Sequence, residues 1–455
     1  MDKLAVALSG GGHRATLFGL GVLMYLVDAG KNREVVSIAS VSGGSITNGF
    51  VAQQLDYADC TPDEFTPRVA APLAKQIGED GTLFAPLLSK LYLLLLVVSV
   101  FATLVCPWLL PVGAAWQIAI FVTAVVVTAW IAGPRGNVCG AAYRKTLFSP
   151  GGRTTLIRDL ERRASSVWCA TDLRTARQVY FGPRYIYGYT LGCAAPADVA
   201  LHKAVQASAA FPGGFPPTRI STRSLHFRDP RTEQPRVNTR PLVLADGGVY
   251  DNMADQWARG FADRLERWPG LEQLEQRPDV LIVVNSSSRK DWMPFRARIP
   301  LWGEVAALLR DMSVLYENTT AVRRQDLVER FDERERTGSG MRGCLVMIGQ
   351  SPYRVADYYA RAEQRALWPD RGRRADGVLA LLGPDDRGTW QTIVDDNSAV
   401  PTTLGALGVE HSARLLYQAY VLAMCNAHVV LGYPMQDLPE LGRFRNLVRG
   451  MVGER

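Results

Sequence analysis

From Leu91 to Ala132 the chain carries no charged side chain, a run about twice the roughly 20 residues that one helical crossing of a bilayer needs. Pro107 and Pro111 sit at its middle, where a reversal of direction belongs. The run predicts a helical hairpin, Leu91–Leu110 followed by Val112–Ala132. Three settings accommodate it: a bilayer that it spans, a leaflet that it dips into, or a protein core that buries it. Charge favours the first. Lys90 precedes the run, Arg135, Arg144 and Lys145 follow it, and the tip is uncharged, so both ends are expected in the cytoplasm. Two crossings return the chain to the side it left, so residues 1–88 and 134–455 are expected to build one domain around an insert at 89–133.

The rest of the chain reads as an ordered protein. Its 455 residues are 47% hydrophobic, ample for a large core. The formal charge of +7 reads first as an ordinary solvated surface; it also suits anionic lipid headgroups, to which basic residues near the surface contribute about 1 kcal/mol each. It does not suit nucleic acid, because the arginines alternate with acids and form no basic stripe with stacking aromatics. Seven scattered cysteines without a Cys-x-x-Cys pair indicate neither a disulfide framework nor a zinc site. Cys106 and Cys139 read as small buried hydrophobes in a reducing compartment. Leu4–Leu8 is too short an apolar run for a signal peptide, so synthesis is expected to start on a cytoplasmic domain.

Leu4–Leu8 reads as a buried strand that empties into Ser9-Gly10-Gly11-Gly12. A helix follows, with Leu17, Leu20, Leu23, Met24 and Val27 on one face and Gly19 and Gly21 allowing close packing. Val35–Ala39, Ser42-Gly43-Gly44 and Ile46–Leu55 repeat the strand, turn and helix. Two such units predict a parallel α/β sheet with helices on its faces. Ser166–Ala170 and Gln178–Phe181 read as paired strands around Thr171-Asp172-Leu173, and Ala197–Ala210 as a helix ending at Phe211-Pro212. Leu242–Ala245 and Val280–Val284 are further strands, closed by Asp246-Gly247-Gly248 and by Asn285 with three serines. Val322–Arg342 reads as an exposed helix laced by ion pairs and Ser412–Leu431 as an amphipathic helix.

Three of these turns carry chemistry. A serine between a strand and a helix, with small neighbours, is the nucleophile-elbow arrangement. Ser42 fits it, with Ser40 where the usual G-x-S-x-G pattern has its first glycine. A Ser-Gly-Gly turn alone is also a common structural turn. The loop Gly10-Gly11-Gly12 offers backbone N–H groups at a helix start, for a phosphate or for an oxyanion. It lacks the Gly-Lys-Ser/Thr ending of a P-loop and the spacing of a dinucleotide site, so an oxyanion hole of Gly11, Gly12 and Gly43 is the better use. Arg14 would steady the loop or meet an anionic substrate group. The base is expected at Asp246, since apart from His13 in the glycine loop itself none of the five histidines lies in a glycine-rich turn after a strand. Burial raises a carboxylate from its reference pKa near 3.9 and lets it take a serine proton. An Asp-Gly turn with no further role and a Ser-Asp-His triad using His411 or His428 are the competing readings.

Taken together, Gly10-Gly11-Gly12-His13-Arg14, Ser40-Val41-Ser42-Gly43-Gly44 and Asp246-Gly247-Gly248 resemble the patatin-like phospholipase family, which includes the cytosolic phospholipase A2 enzymes. That family shows a G-G-G-x-R loop, a G-x-S-x-G elbow and a D-G-G/A turn in this order. Ala207-Ser208-Ala209-Ala210-Phe211-Pro212 resembles its small-residue block before the aspartate, and Ala15 is closer to the cytosolic phospholipase A2 branch. The resemblance covers about residues 4–255 and treats the hairpin as an insertion. It implies a three-layer α/β/α fold with a mostly parallel sheet. It also implies a Ser42–Asp246 dyad supported by Gly10, Arg14, Gly247 and Gly248, which cleaves acyl esters of membrane lipids through an acyl-enzyme without metal or cofactor. The expected partners are an acyl-lipid substrate and the membrane. Acyl transfer to another alcohol, or a lipid-binding scaffold that has lost the reaction, are the alternatives.

Overall fold

The structure is a computed structural model and describes residues 2–236, 240–287 and 302–451. Strand β1 (Leu4–Leu8) runs into helix α1 (Gly12–Asp28), and β2 (Val35–Ser40) runs into α2 (Gly43–Gln54). The hairpin follows as α3 (Leu87–Leu109) and α4 (Ala114–Ala132), and α5 (Arg135–Thr146) leads back to the body. Next come β3 (Ser165–Asp172), β4 (Arg177–Phe181), β5 (Ile186–Gly188) and β6 (Gly192–Ala194). Helix α6 (Leu201–Ser208), β7 (Thr218–Ile220), β8 (Leu242–Asp246) and β9 (Val280–Asn285) precede the long α7 (Trp302–Thr337). β10 (Arg342–Met347) and α8 (Val409–Leu431) belong to the C-terminal part. Ser288, one of the serines expected to close β9, lies outside the described residues.

All ten strands of the described residues join one sheet, in which β10, β9, β1, β2 and β3 are parallel and adjacent, with β10 at the edge. An antiparallel run of β4, β5 and β6 extends it beyond β3. Alternation along the strands builds two cores. Leu4, Val6 and Leu8 face the larger one with α1 and α8, while Ala5 and Ala7 face a second with Trp257, Phe261, Leu327 and Phe331. The result is the expected three-layer α/β/α architecture. Buried apolar positions dominate because a parallel sheet is covered on both faces.

Several sequence expectations need correction. Ser412–Leu431 is not a half-exposed amphipathic helix: α8 is buried nearly all round and packs on α1. The close approach foreseen at Gly21 is real, since a Cβ there would stand 2.6 Å from the Leu416 carbonyl oxygen. The charged segment Val322–Arg342 is helical only to Thr337, and Arg342 opens β10 because its backbone pairs with β9. It is exposed on one side only, as Leu327 and Phe331 are buried against the sheet. Thr171 and Asp172 extend β3 instead of turning, because they pair with β4 and β8. The helix expected over Ala197–Ala210 is confined to Leu201–Ser208.

The hairpin is not a buried core element, because almost none of its apolar surface meets the body. Both helices are long and apolar enough to cross a membrane, with lengths of about 34 and 28 Å at the α-helical rise. The tip is Leu110–Gly113, and Pro107 falls inside the last turn of α3. Cys106 is exposed on this hairpin, contrary to expectation, whereas Cys139 is buried in the body. The two helices are stitched by Thr103 and Thr128, whose hydroxyls lie 2.8 Å apart, and by the Tyr92 hydroxyl donating to the Ile131 carbonyl.

Candidate active site

The register of β3 explains how residues about 200 positions apart meet. β4 occupies one edge of β3 along Trp168–Asp172. Along the other edge β2 pairs with Ser165–Trp168, and antiparallel β8 then takes over at Ala170–Asp172. The two strands therefore run head to head, and their carboxyl ends converge. Ser42, two residues past the end of β2, arrives beside Asp246, the last residue of β8.

Ser42 occupies a sharp turn at φ 50°, ψ −121°, a backbone region that L-residues rarely adopt. Its N–H donates to the Ser208 carbonyl (3.1 Å), and the Gly247 N–H donates to the same carbonyl (3.1 Å). One backbone oxygen at the end of α6 thus ties the serine turn to the aspartate turn. Ser40 does more than keep the turn narrow. Its hydroxyl donates to the Val167 carbonyl (3.0 Å) and accepts from Asn48 (3.0 Å) and Ser45 (3.1 Å).

The Asp246 carboxylate is buried, accepts the Gly248 N–H (2.8 Å) and lies beside the Ser42 side chain in the same cavity. Burial outweighs the opposing pull of these polar neighbours and raises its pKa from 3.8 to about 6. Opposite the pair, the glycine loop is fixed at both ends. Gly10 N–H donates to Asn252 O (3.1 Å) and His13 N–H to Thr403 O (3.0 Å). Among the described residues no acceptor takes the N–H of Gly11, Gly12 or Gly43. Gly43 admits no side chain, since a Cβ there would lie 2.0 Å from the Gly12 oxygen. The elbow and the glycine loop are in backbone contact.

Arg14 is buried, and its guanidinium donates to the carbonyls of Val400 and Ser398. It steadies the loop against the C-terminal segment, and desolvation lowers its pKa to about 10. His13 is structural: its Nδ1 donates to the Gly405 carbonyl (2.8 Å), and its Nε2 accepts from Thr82 (2.9 Å). Burial lowers its pKa to about 4, so the ring is neutral. The cavity that holds Ser42 and Asp246 has a volume of about 840 Å3, and among the described residues no histidine lines it. His411 is on the surface, and His428 bonds the Tyr433 carbonyl at the far end of α8.

Residues without an obvious sequence signal complete the walls. Asn252 donates to Ser287 (2.7 Å) beside the glycine loop, Tyr316 comes from α7, and Thr402 and Thr403 come from a segment with no motif. Ser208 lay within the small-residue block, and its serine among alanines was the available signal.

A sequence model described as patatin-like phospholipase matches residues 120–254, a stretch that takes in the Asp246-Gly247-Gly248 turn. Over that stretch the chain is similar to the patatin-like phospholipase family. The two glycine-rich segments outside the matched stretch stand beside the Asp246-Gly247-Gly248 turn in the structure. No curated protein matches the chain in sequence. Among solved structures, the human GIVD cytosolic phospholipase A2 aligns at 12% identity and a TM-score of 0.34, over 66% of this chain and 48% of that one. In its complex with methyl gamma-linolenyl fluorophosphonate the same human enzyme aligns at 10% identity and a TM-score of 0.40, over 99% and 59%. VipD from Legionella pneumophila aligns at 14% identity and a TM-score of 0.28, over 99% and 92%. The chain thus spans about half the length of the human phospholipase it matches first.

Proposed function

We propose that the chain is a membrane-anchored serine acyl hydrolase in which Ser42 is the nucleophile and Asp246 its base. The observation that supports this reading is Ser42, held on a rarely adopted backbone turn, lining one cavity with the buried Asp246 carboxylate and the glycine loop. Ser42 attacks the ester carbonyl carbon while its proton passes to Asp246. The tetrahedral oxyanion then meets the N–H groups of Gly11, Gly12 and Gly43. One such donor contributes about 2.7 to 4 kcal/mol to lowering the barrier. As the acyl-enzyme forms, Asp246 returns the proton to the departing alcohol. Water attacks the acyl-enzyme by the same route in reverse order, with Asp246 again as base.

Gly10, Arg14, Gly247 and Gly248 support this machinery by shaping the loop and the aspartate turn. Arg324 and Arg354 on the cavity wall favour a substrate with an anionic headgroup, which suits a phospholipid. The hairpin at 89–133 anchors the enzyme and interrupts a single catalytic body, 1–88 with 134–455. Both of its ends are on the body's side, and the charges of Lys90, Arg135, Arg144 and Lys145 favour the cytoplasm for that side.

The test is incubation of purified protein in detergent with a mixed lipid panel beside Ser42→Ala, with products read by mass. The reading expects free fatty acid from the wild type and none above background from the variant. Equal release by both would exclude it.

A further inference from the structure

Beside the catalytic cavity lies a second groove of about 630 Å3, lined by Leu173, Ala245, Val249, Leu315 and the proline-rich turn 212–217. It shares Phe215 and Tyr316 with the catalytic cavity, and Ala245 directly precedes Asp246. Its lining is apolar apart from Arg135, Tyr316 and Thr319. Leu173, Val249 and Leu315 are exposed on this lining, as is Phe211 on the neighbouring cavity wall. Exposed apolar side chains gathered around one mouth mark a surface that water does not favour.

The groove is joined to the foot of the hairpin. Arg135 Nη1 donates to the Ala132 carbonyl at the end of α4 (2.9 Å), and Arg135 Nε donates to the carbonyl of Gly214 (2.9 Å), which lies between the groove-lining Gly213 and Phe215. A Cβ on Gly136 would sit 3.3 Å from Pro216, so the wall also rests on α5. A hairpin embedded in a bilayer therefore holds this mouth at the depth where acyl chains begin.

We propose that this groove binds one fatty acyl chain of the substrate, drawn sideways from the leaflet that holds the hairpin, with the chain passing Tyr316 on its way to the ester at Ser42. The proposal rests on the hydrolase reading and adds a chain-length determinant to it. Each buried methylene strengthens binding about fourfold, so filling the groove penalises long chains selectively. Tyr316 is a positioning residue here, because it shapes the passage without touching the reacting atoms.

The experiment has two arms on the full-length protein. In the first, kcat/KM is measured for 4-nitrophenyl esters of four and sixteen carbons with the wild type, Val249→Trp, Thr319→Trp and, as a control away from both cavities, Leu367→Trp. The expected result is a fall of at least tenfold in the sixteen-to-four carbon ratio for the two groove variants and no change for the control. An unchanged ratio in both groove variants overturns the proposal. In the second arm, Ser42→Ala in phosphatidylcholine vesicles is photolysed with a phosphatidylcholine bearing a diazirine in one acyl chain. Adducts on Leu173, Val249 or Leu315 support the groove, and adducts confined to the hairpin overturn it. Because this arm needs no turnover, an inactive wild type would sink the hydrolase reading without deciding the groove.

Discussion

In the proposed role of base Asp246 has opposing demands on it, since a base must ionise and burial resists ionisation. With its pKa raised to about 6, it is a carboxylate at neutral pH and a far better proton acceptor than a surface aspartate. Ester hydrolysis should therefore rise with pH through about 6 and level off above it; a profile flat from pH 4.5 to 8 would contradict this role. The same shift has a stability consequence. A carboxyl group whose folded pKa lies above its unfolded value of 3.8 contributes stability that is complete below about pH 3.8 and lost as pH rises through about 6. Asp246→Asn removes that penalty. We expect the variant to lose activity by about a thousandfold or more yet resist urea better than wild type at pH 8, by up to about 3 kcal/mol. The gap should close towards pH 4. Gly43 makes a second residue-scale prediction, because Gly43→Ala drives a methyl group into the Gly12 carbonyl and displaces the donors. Its kcat should fall by about a hundredfold or more while its circular dichroism stays that of the wild type.

Among the elements, the contact of α1 with α8 sets the geometry of the glycine loop, because Gly12 is both the last residue of the loop and the first of α1. Gly21 lets the two helices touch, with its Cβ position 2.8 Å from Ala419 Cβ as well as close to the Leu416 carbonyl. Gly21→Val should cost about 1–3 kcal/mol in urea unfolding; an unchanged midpoint would mean that the helices are not this close. The strand-turn-helix units and the three glycine-rich turns were legible in the sequence because each is a local signal, a short apolar run broken by residues that permit a tight turn. The direction of β8 was not. Its meeting with β2 along β3 depends on register between segments more than seventy residues apart, which packing decides. Nor did Thr402 and Thr403 announce themselves, since a wall residue needs only size and position. Helix α8 looked half-exposed because its polar residues Gln418 and Asn426 suggest a wet face. Both are buried, and each donates to a backbone carbonyl, Gln418 to Ile348 (2.7 Å) and Asn426 to Leu345 (2.9 Å).

The whole molecule pairs a soluble-type α/β body with an apolar hairpin that leaves and returns at one place. The feet of α3 and α4 are held together by Tyr92 and Ile131, so a short glycine-serine linker can replace residues 91–132 without stretching the body. That variant should move from the membrane pellet to the supernatant in an alkaline carbonate extraction. It should still cleave a soluble short-chain ester, and lose most of its activity on vesicles. Persistence in the pellet would show that the hairpin is not the anchor. The central claim, that one serine paired with one buried aspartate performs the chemistry, is tested most directly by covalent trapping. Wild-type protein treated with an alkyl fluorophosphonate and mapped by mass spectrometry should carry the phosphonyl group on Ser42, and Asp246→Asn should carry little or none. An adduct on another residue, or undiminished labelling of Ser42 in Asp246→Asn, would contradict the account.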